Sequence, residues 1–585
     1  MREQLIKLRR VMKESGIDCC FIPSGDDHNS EYVSDHFKCR EFISGFTGSA
    51  GVLVVTQDRA LLWTDGRYFL QAASQLEGSG FELMKIGEPG VPTVLEFLTD
   101  LASNAPYTLG FDGRVVSADT GRLFENELVP LGVSIRWDQD LPGKIWEDRP
   151  SVPVTEVWQL PPESAGRTAE EKLADVRHAM KKENADALLI TDLTETAWLL
   201  NLRASDIANT PVFYSFALIT ESRAELYIYN KKEFDSRHAA DLPFWETFPY
   251  EEIYRSVSRL PAGSRVILDP DSACVALLKA IPEDADLSLS ASPIQLMKAV
   301  KNKSEIAATR AAHIRDGVAM VRFLMWLKDA VRSMPLTEIA ASDHLDKERL
   351  SFERCFDLSF PTIAGYEENG AIIHYQATPE TDAPLAPKGF LLVDSGGQYL
   401  DGTTDITRTI VLGPLTGKQQ EYYTYVLKSH IALASAVFPR GTTGLDLDRI
   451  ARRPLREHGL DFNHGTGHGI GHVLSVHEGP NIISLRGSGQ EFLPGMITSD
   501  EPGVYLEREF GIRLENEILC VEKGDRLGFE PLTLCPFDRA AILPEFLTND
   551  EREWLNRYHR HVNDTLSPYL TEKEAAWLKR ETLPI

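Results

Sequence analysis

Phe390-Leu-Leu-Val-Asp394 and Gly402-Thr-Thr-Asp405-Ile-Thr407 begin the stretch of sequence that decides the fold. The first ends an apolar run and the second lies in a β-branched one, and both patterns are typical of strands. Glycine-rich, strand-like segments with further acidic and histidine residues follow: His464-Gly-Thr-Gly-His468-Gly-Ile-Gly471, Ser499-Asp-Glu501-Pro-Gly503 and Gly511-Ile-Arg-Leu-Glu515-Asn516. The pattern predicts a strand-rich functional domain in the last third of the chain.

The polar residues in these segments are the donors that divalent metal ions prefer. They supply four carboxylates, some able to bridge, and one imidazole: Asp394, Asp405, His468, Glu501 and Glu515. Two metal ions about 3.5–4 Å apart can hold a hydroxide and polarise a carbonyl. The set therefore predicts a two-metal hydrolase.

The composition is that of a large globular protein. The chain has 585 residues, 43% hydrophobic and 25% charged, and this length favours three or four domains. Its net charge of -26 argues against nucleic acid or an anionic membrane surface as a partner. There is no apolar run long enough for a transmembrane helix and no signal-peptide core. The seven scattered cysteines indicate reduced thiols, so we expect a cytoplasmic protein.

The first half of the chain contains an internal repeat. A helix-like pattern followed by a buried strand occurs at Leu8–Ile22 and again, 168 residues later, at Val176–Ile190. A proline-rich linker around Pro142–Arg167 separates the copies. We therefore predict a mixed α/β (α+β) protein with domains at 1–155 and 156–300 and a catalytic domain at 301–585.

The catalytic domain is expected to open with helices at about 303–331 and 336–350. Leu391–Thr409 is expected to form two strands joined through Ser395-Gly-Gly397, which would bring Asp394 and Asp405 together. Alternation predicts that Arg513, Glu515 and Glu517 share one face of a later strand. From about 530, two helices with capping boxes at Thr548 and Thr571 form an extension with a structural or oligomerisation role.

In combination and order, the motifs resemble one family along nearly the whole chain. Phe42-Ile-Ser-Gly-Phe-Thr-Gly-Ser-Ala-Gly51, Leu62-Trp-Thr-Asp-Gly-Arg-Tyr-Phe-Leu-Gln71, Gly370-Ala-Ile-Ile-His374 and Val476-His-Glu-Gly-Pro480 join the segments quoted above. Together they are similar to the Xaa-Pro aminopeptidase (aminopeptidase P) family of pita-bread metallopeptidases, in its long three-domain form. The resemblance implies two creatinase-N-terminal-like domains in tandem, a pita-bread domain with a C-terminal helical extension, and a homodimer.

The resemblance also implies the metal ligands. Asp394 would chelate one ion, Asp405 and Glu515 would bridge both, and His468 and Glu501 would complete the second site. The expected cofactor is a pair of divalent ions, manganese first, with zinc or cobalt as alternatives. A metal-bridged hydroxide would then hydrolyse the bond between an N-terminal residue and a following proline.

Five residues are expected to act on the substrate or beside it. His374 and His477 match histidines that steady the substrate carbonyl and the tetrahedral intermediate, and His464 matches one that lines the proline pocket. Glu501 can accept the water proton. Arg513 can orient ligands through charge-assisted hydrogen bonds. The expected substrates are peptides with proline in the second position.

Several simpler interpretations compete with these. Asp394 or Asp405 alone would suit a turn, and the glycines around His468 would suit a tight loop. Glu517 is expected to be solvated or to support a ligand, His472 to be structural, and Lys301-Asn302-Lys303 to be an exposed helix start. Rival functions are a proline dipeptidase, which normally lacks one N-terminal domain, a methionine aminopeptidase, and a non-enzymatic pita-bread protein that has lost its ligands.

Overall fold

The structure, a computed structural model, describes residues 1–487 and 489–585. The chain forms two compact units. The first unit comprises Met1–Gln159 and Arg167–Ile294, and the second comprises Leu160–Gly166 and Gln295–Ile585. No helix among the described residues has both the length and the apolar content that crossing a bilayer requires.

The first unit begins with a mixed sheet in the order β4-β3-β2-β1-β5-β6. Its central strand is β1, which is antiparallel to β2 and parallel to β5. Leu5, Leu8 and Met12 form the buried face of the first helix. The strands are β1 Cys19–Ile22, β2 Val52–Thr56, β3 Ala60–Thr64, β4 Glu82–Lys85, β5 Thr108–Gly110 and β6 Ser134–Arg136, and the helices are α1 Glu3–Glu14, α2 Cys39–Ser44, α3 Phe69–Gln75, α4 Val94–Asn104 and α5 Ala118–Leu128.

The rest of the first unit repeats this architecture. A second sheet has the order β12-β11-β10-β8-β13-β14, which is the same connectivity around its central strand β8. A short ladder pairs β7 with β9. The elements are β7 Trp158–Gln159, α6 Pro162–Ala165 (in the second unit), α7 Ala169–Lys182, β8 Ala187–Ile190, α8 Leu193–Leu200, β9 Leu202–Arg203, β10 Ser215–Thr220, β11 Ala224–Ile228, α9 Lys231–His238, β12 Glu246–Pro249, α10 Glu252–Val257, β13 Arg265–Leu268, α11 Val275–Ala280, β14 Asp286–Leu289 and α12 Pro293–Ala299 (in the second unit from Gln295 onward).

The shared strand order confirms the predicted internal repeat. The helix α1 and strand β1 of the first copy correspond to α7 and β8 of the second. Each central strand is fully buried and is flanked by one antiparallel and one parallel neighbour. Strands covered on both faces are continuously apolar, which is why the repeat was visible as matching apolar runs.

The second unit opens with two helices and continues mainly as antiparallel sheets. The small sheets have the orders β15-β18-β19 and β16-β17-β20, and the largest has the order β21-β28-β27-β24-β22-β23. The elements are α13 Lys303–Ser333, α14 Glu338–Leu350, β15 Cys355–Leu358, β16 Ile363–Tyr366, β17 Phe390–Ser395, β18 Gly397–Tyr399, β19 Gly402–Thr403, β20 Ile406–Val411, α15 Gly417–Ala434, β21 Val437–Phe438, α16 Gly444–Arg456, β22 Gly467–Gly469, β23 Glu478–Ile483, β24 Ile497–Asp500, β25 Gly503–Leu506, β26 Phe510–Arg513, β27 Asn516–Lys523, β28 Arg526–Pro531, α17 Asn549–Leu566 and α18 Glu572–Glu581.

Two local predictions for this unit were too simple. The expected two-strand hairpin at 391–409 has β18 and β19 inserted between its long strands, because Gly397–Tyr399 pairs with Gly402–Thr403 and with β15. The expected continuous strand through Arg513 and Glu517 is broken between β26 and β27. Its backbone N–H groups at Leu514 and Glu515 donate to Pro502 and Thr407, which belong to different segments.

The C-terminal extension is part of the second unit's core. Both predicted capping boxes are present, at Thr548 of α17 and Thr571 of α18. Leu555, Leu566 and Leu578 are fully buried in the same apolar cluster as the central strand β17. The extension therefore has the structural role that was one of the two expected.

Candidate metal centre

Two antiparallel strands bring three carboxylates together. Asp394, near the end of β17, lies opposite Thr407 of β20. Asp405 immediately precedes β20. Glu515 lies beside the same strand, because its N–H donates to the Thr407 carbonyl at 3.1 Å and its Oε2 accepts from Thr407 Oγ1 at 2.7 Å. Thr407 thus joins the two strand segments that carry the acidic residues.

His468 and Glu501 come from adjacent strands of the largest sheet. His468 is the middle residue of β22, and Glu501 directly follows β24. Ser499 links them, because its Oγ accepts from the His468 N–H at 2.9 Å and donates to Glu501 Oε1 at 3.1 Å. A serine in the middle of β24 therefore fixes the distance between the two predicted ligands.

The two groups of candidate ligands meet at His468. Its Nε2 lies 3.5 Å from Asp405 Oδ2 and 3.4 Å from Glu501 Oε1. One potential ligand atom from each of Asp405, His468 and Glu515 lies within 4.8 Å of the others. Separations of this size are those of atoms that share a bound ion rather than of atoms in direct contact.

Asp394 completes the acidic cluster and has one free oxygen. Its Oδ2 accepts from Arg513 Nη2 at 2.6 Å. Its Oδ1 is buried and accepts no hydrogen bond within the described part of the chain. A buried carboxylate oxygen without a donor is costly unless a cation satisfies it.

The electrostatics of the cluster favour a cation. Burial, followed by repulsion from neighbouring carboxylates, raises the pKa values of Asp405 and Glu515 well above the ordinary range. Burial also raises the pKa of Glu501 to about 7, and Asp394 adds to the shift. Two carboxylates about 4 Å apart repel by about 4 kcal/mol at an effective dielectric constant of about 20. Divalent cations would relieve this repulsion, so the donor set and its charge fit a two-metal site.

Arg513 connects the acidic cluster to His464. The guanidinium donates to Asp394, and its Nη1 donates to Tyr505 OH at 2.9 Å. Tyr505 OH is in turn 2.8 Å from His464 Nε2, while His464 Nδ1 lies 2.7 Å from the Gly465 carbonyl. Because a carbonyl can only accept, Nδ1 carries the proton and Nε2 accepts from Tyr505. These contacts fix the tautomer of His464.

The remaining two predicted histidines belong to segments that contact the cluster. The His477 ring packs edge-on against the His468 ring, with 4.3 Å between centroids. His374 is half-buried and follows Ile373, whose carbonyl accepts from Arg513 Nη2 at 3.3 Å. Both histidines are therefore attached to segments that contact the cluster.

Comparison with known families divides the chain in four. Models of creatinase/prolidase N-terminal domains match residues 4–136 and 148–305. The model of metallopeptidase family M24 matches residues 307–522, and that of the C-terminal region of peptidase M24 matches residues 525–585.

Full-length relatives agree with these matches. The probable Xaa-Pro aminopeptidase P of Laccaria bicolor is 41% identical over 100% of this chain and 93% of its own. Aminopeptidase P1 of Arabidopsis thaliana is 38% identical over 100% of this chain and 99% of its own. The chain belongs to the aminopeptidase P group of family M24. The resemblance inferred from the motifs is confirmed.

A solved structure extends the likeness to three dimensions. The X-prolyl aminopeptidase of Caenorhabditis elegans, described as a cytosolic enzyme with a di-nuclear active site, has a TM-score of 0.94 and 35% identity. The match covers 100% of this chain and 99% of that one. It confirms the predicted fold class of two creatinase-like domains, a pita-bread domain and C-terminal helices.

Side chains that sequence reasoning missed hold this aminopeptidase P site together. Tyr505 and Thr407 lie on strands β25 and β20, where tyrosine and threonine are common for packing reasons alone. Ser499 lies in β24, two residues before Glu501. No pattern in a single sequence separates such residues from ordinary strand residues.

Glu517 supports Asp405 and is not solvated. It is completely buried. Its Oε1 accepts from the Asp405 N–H at 2.8 Å, and its Oε2 lies 3.1 Å from His313 Nε2. The solvated alternative is therefore wrong, because the side chain points into the domain and holds the backbone of a predicted ligand.

His472 has the structural contacts expected of it. Its Nδ1 lies 3.2 Å from Thr309 Oγ1, and its Nε2 lies 3.0 Å from the Ser164 carbonyl. The ring is buried and bonds α13 to the short α6 segment, all within the second unit.

Proposed function

We propose that the chain hydrolyses the peptide bond between an N-terminal residue and a following proline. The observation that carries this proposal is the meeting of buried Asp405 and Glu515 with half-buried His468. Asp394 and Glu501 contact the same cluster. Relatives along the full chain are named Xaa-Pro aminopeptidases. The substrates would be peptides with proline in second position.

The proposed cofactor is a pair of divalent metal ions, with manganese the expected metal and zinc or cobalt as alternatives. Asp394, Asp405, His468, Glu501 and Glu515 would hold them, and the di-nuclear site of the Caenorhabditis elegans relative supports the number. When bound, such ions supply a water-derived nucleophile at neutral pH and polarise the substrate carbonyl.

The chain's own side chains would handle protons and charge. Glu501, whose Oε1 accepts from Ser499 Oγ at 3.1 Å, would take up a proton from the nucleophile and release it to the leaving nitrogen. His477 and His374 would donate hydrogen bonds to the oxyanion that forms on the substrate. Arg513 would keep Asp394 oriented through its 2.6 Å contact.

Recognition of proline would rest on what proline lacks. A peptide bond to proline has no N–H, so a site that must accept a hydrogen bond from the N–H of the cleaved peptide bond cannot bind it. His464, held by Tyr505 and the Gly465 carbonyl, would line a pocket for the pyrrolidine ring. The fixed histidine would give the pocket a defined wall.

We further propose domains at 1–155, 156–300 and 301–585, with the extension from about 530, and a homodimer in the cytoplasm. The domain proposal is supported by the two repeated sheets and the mainly antiparallel second unit. Localisation is supported by the free state of all seven cysteines and by the description of the Caenorhabditis elegans relative as cytosolic. The dimer rests on the family resemblance. The charge of -26 argues against nucleic acid and membrane partners.

The test is hydrolysis after metal stripping and defined re-addition. We expect the stripped enzyme to be inactive and manganese to restore cleavage of an Xaa-Pro-Xaa tripeptide before proline. A matched Xaa-Ala-Xaa tripeptide should be cut far more slowly. Activity confined to Xaa-Pro dipeptides would instead identify a proline dipeptidase, and undiminished activity without metal would refute the two-metal proposal.

A further inference from the structure

A buried carboxylate directly follows His477 in the chain. Glu478 opens strand β23 and is bonded by two lysines. Lys298 Nζ lies 3.0 Å from its Oε2, and Lys301 Nζ lies 2.6 Å from its Oε1. Lys298 belongs to α12, and Lys301 precedes α13 by two residues. One glutamate therefore ties the segment after His477 to the start of the second unit.

All three side chains are withdrawn from solvent. The exposed fractions are 4% for Lys298 and 2% each for Lys301 and Glu478. Lys301 was expected to lie at an exposed helix start, and that expectation is wrong because its ammonium reaches Glu478. Charges so deeply buried are tolerated only when paired and hydrogen-bonded in fixed geometry.

We call Lys298, Lys301 and Glu478 the clamp. Further hydrogen bonds hold its two lysines in place. Lys301 Nζ also donates to the Lys298 carbonyl at 2.9 Å. The Lys301 N–H donates to the Gly495 carbonyl at 3.0 Å, and Val300 forms a β-bridge with Met496. The lysines are thus anchored to the segment that leads into β24.

The glutamate side lies directly on the strand that carries His468. Glu478 pairs with Gly469 of β22. A Cβ at Gly469 would lie 2.1 Å from the Glu478 carbonyl oxygen, and one at Gly471 would lie 2.6 Å from the Ser475 carbonyl oxygen. Only glycine permits this approach, so the position of Glu478 also sets the distance between the His477 and His468 rings.

We propose that Lys298, Lys301 and Glu478 are positioning residues that hold the His477 backbone in place for catalysis. The inference rests on the proposed role of His477 as a donor to the reacting carbonyl. A donor placed only about 1 Å wrongly loses most of its catalytic effect. His477 directly precedes Glu478, the first residue of β23, and the two lysines hold the Glu478 side chain.

The experiment compares Lys301→Met with a matched lysine. Methionine keeps the length of the side chain, and Lys298 remains to pair Glu478. Lys428 also meets one carboxylate and one carbonyl, with its Nζ 2.7 Å from Glu551 Oε2 and 3.0 Å from the Phe546 carbonyl. Lys428→Met is therefore the control. The kcat and KM for an Xaa-Pro-Xaa tripeptide, the bound metal per chain and the Tm are measured for each full-length variant.

We expect Lys301→Met to lower kcat at least tenfold, with KM within twofold of wild type and bound metal unchanged. Lys428→Met should keep the wild-type kcat. His477→Ala should lower kcat, and adding Lys301→Met to it should change kcat by less than twofold, because both changes act through one side chain. If Lys301→Met does not fold, Lys298→Met, which leaves the Lys301–Glu478 pair, takes its place in the same comparison.

Two results would refute the proposed role of the clamp. One is a wild-type kcat in folded, metal-loaded Lys301→Met while His477→Ala is impaired. The other is a double variant whose loss is the product of the single losses. A wild-type kcat for His477→Ala would instead refute the proposed role of His477, and the clamp would lose its purpose with it.

Discussion

Asp405 and Glu515 have two kinds of neighbour: side chains that hold them by hydrogen bonds, and another predicted metal ligand. Thr407 Oγ1 donates to Glu515 Oε2 and Glu517 accepts from the Asp405 N–H, whereas His468 Nε2 lies 3.5 Å from Asp405 Oδ2. A ligand and its support should therefore differ in the size of their mutational effects. Removing a ligand deletes a bond to an ion, while changing the support only shifts the ligand.

Accordingly, Asp405→Ala and Glu515→Ala should abolish both metal retention and activity. Glu517→Gln should lower kcat or metal affinity by only about 10–100-fold, the usual effect of a residue that orients a ligand. Metal content and kcat of the three purified variants give the comparison. Equal losses in all three, with circular dichroism unchanged, would mean that Glu517 is itself a ligand.

Tyr505 joins Arg513 to His464 through one hydroxyl. Tyr505→Phe removes that link, and we expect kcat/KM on an Xaa-Pro substrate to fall about tenfold, equivalent to about 1.4 kcal/mol. Tyr425→Phe removes a hydroxyl that bonds Glu421 on a helix and should have no effect. If the two variants behave alike, the hydroxyl does not orient His464.

The raised pKa of Glu501 makes the metal-free protein sensitive to pH. The pKa of Glu501 in the folded protein, about 7, exceeds its ordinary value of 4.5. Ionisation of Glu501 therefore costs more free energy in the folded state than in the unfolded state. Without metal, stability should fall as pH rises from about 4.5 to about 7 and stay low above that, by on the order of 1–3 kcal/mol.

The pH dependence of stability is measured as the Tm of EDTA-treated protein at pH 6 and pH 8. Glu501→Gln cannot ionise there and is the control. The wild-type Tm should fall further than that of the variant, and metal should restore it most strongly at pH 8, where protons compete least for the ligands. A larger fall in Tm for Glu501→Gln than for the wild type would mean that the pKa of Glu501 is not raised in the folded protein.

At this scale the sequence predicted the candidate ligands but not the residues that support them. Asp394, Asp405, His468, Glu501 and Glu515 were recognisable because acidic and histidine side chains are unusual in glycine-rich strands. Lys301 was not, because a lysine before a helix is normally exposed. Its burial depends on Glu478, which lies far away in the chain.

Among the elements, helix α17 does more than cover the domain. Tyr558 OH accepts from Arg408 Nη2 at 3.1 Å, and Arg408 also donates to the Cys535 carbonyl at 2.7 Å. Arg408 lies in β20, three residues after Asp405. The C-terminal extension therefore stabilises the strand that follows a predicted metal ligand.

We expect Tyr558→Phe to lower the free energy of unfolding by about 1–3 kcal/mol, because it removes a buried hydroxyl that accepts from Arg408 and donates to the Thr533 or Cys535 carbonyl. Tyr569→Phe is the matched control, since that ring is 58% exposed. Urea unfolding of the two variants at fixed metal concentration gives the comparison. Equal stability would show that the remaining carbonyl acceptors satisfy Arg408 fully.

Elements were predictable where one rule governed them. The repeated helix and strand, both capping boxes and the two helices after residue 300 followed from local periodicity and capping. The hairpin at 391–409 and the strand at 513–517 did not. There the chain changes partners within a few residues, and hydrogen bonds to distant segments override alternation.

On the scale of the whole molecule, the chain passes between the two units more than once. Leu160–Gly166 belongs to the second unit although Arg167–Ile294 returns to the first. The Asn302 side chain donates to the Ala165 carbonyl at 2.9 Å, and His472 bonds to Ser164. This short segment is an integral part of the catalytic unit.

Gly166 tests that conclusion. It has a φ of +68°, and a Cβ there would lie 2.5 Å from Ser304 Cβ. Gly459 has a φ of +72° with no atom within 4 Å of such a Cβ. Both substitutions by alanine carry a positive-φ penalty of roughly 1 kcal/mol, but Gly166→Ala should cost about 1–3 kcal/mol more because of the clash. Equal Tm values would show that the segment moves aside freely.

The three covalent crossings between the units also bear on how such a protein can be cut or recombined. A protease that nicks the chain once, near residue 295, leaves residues 160–166 of the catalytic unit still joined to the other unit on both sides. A gene fusion that borrows only the sequence from 295 onward inherits His472 and Asn302 without their carbonyl acceptors. A stretch of sequence that contains the whole second unit is therefore longer than the stretch that carries the predicted metal ligands, and it must begin at Leu160 or earlier.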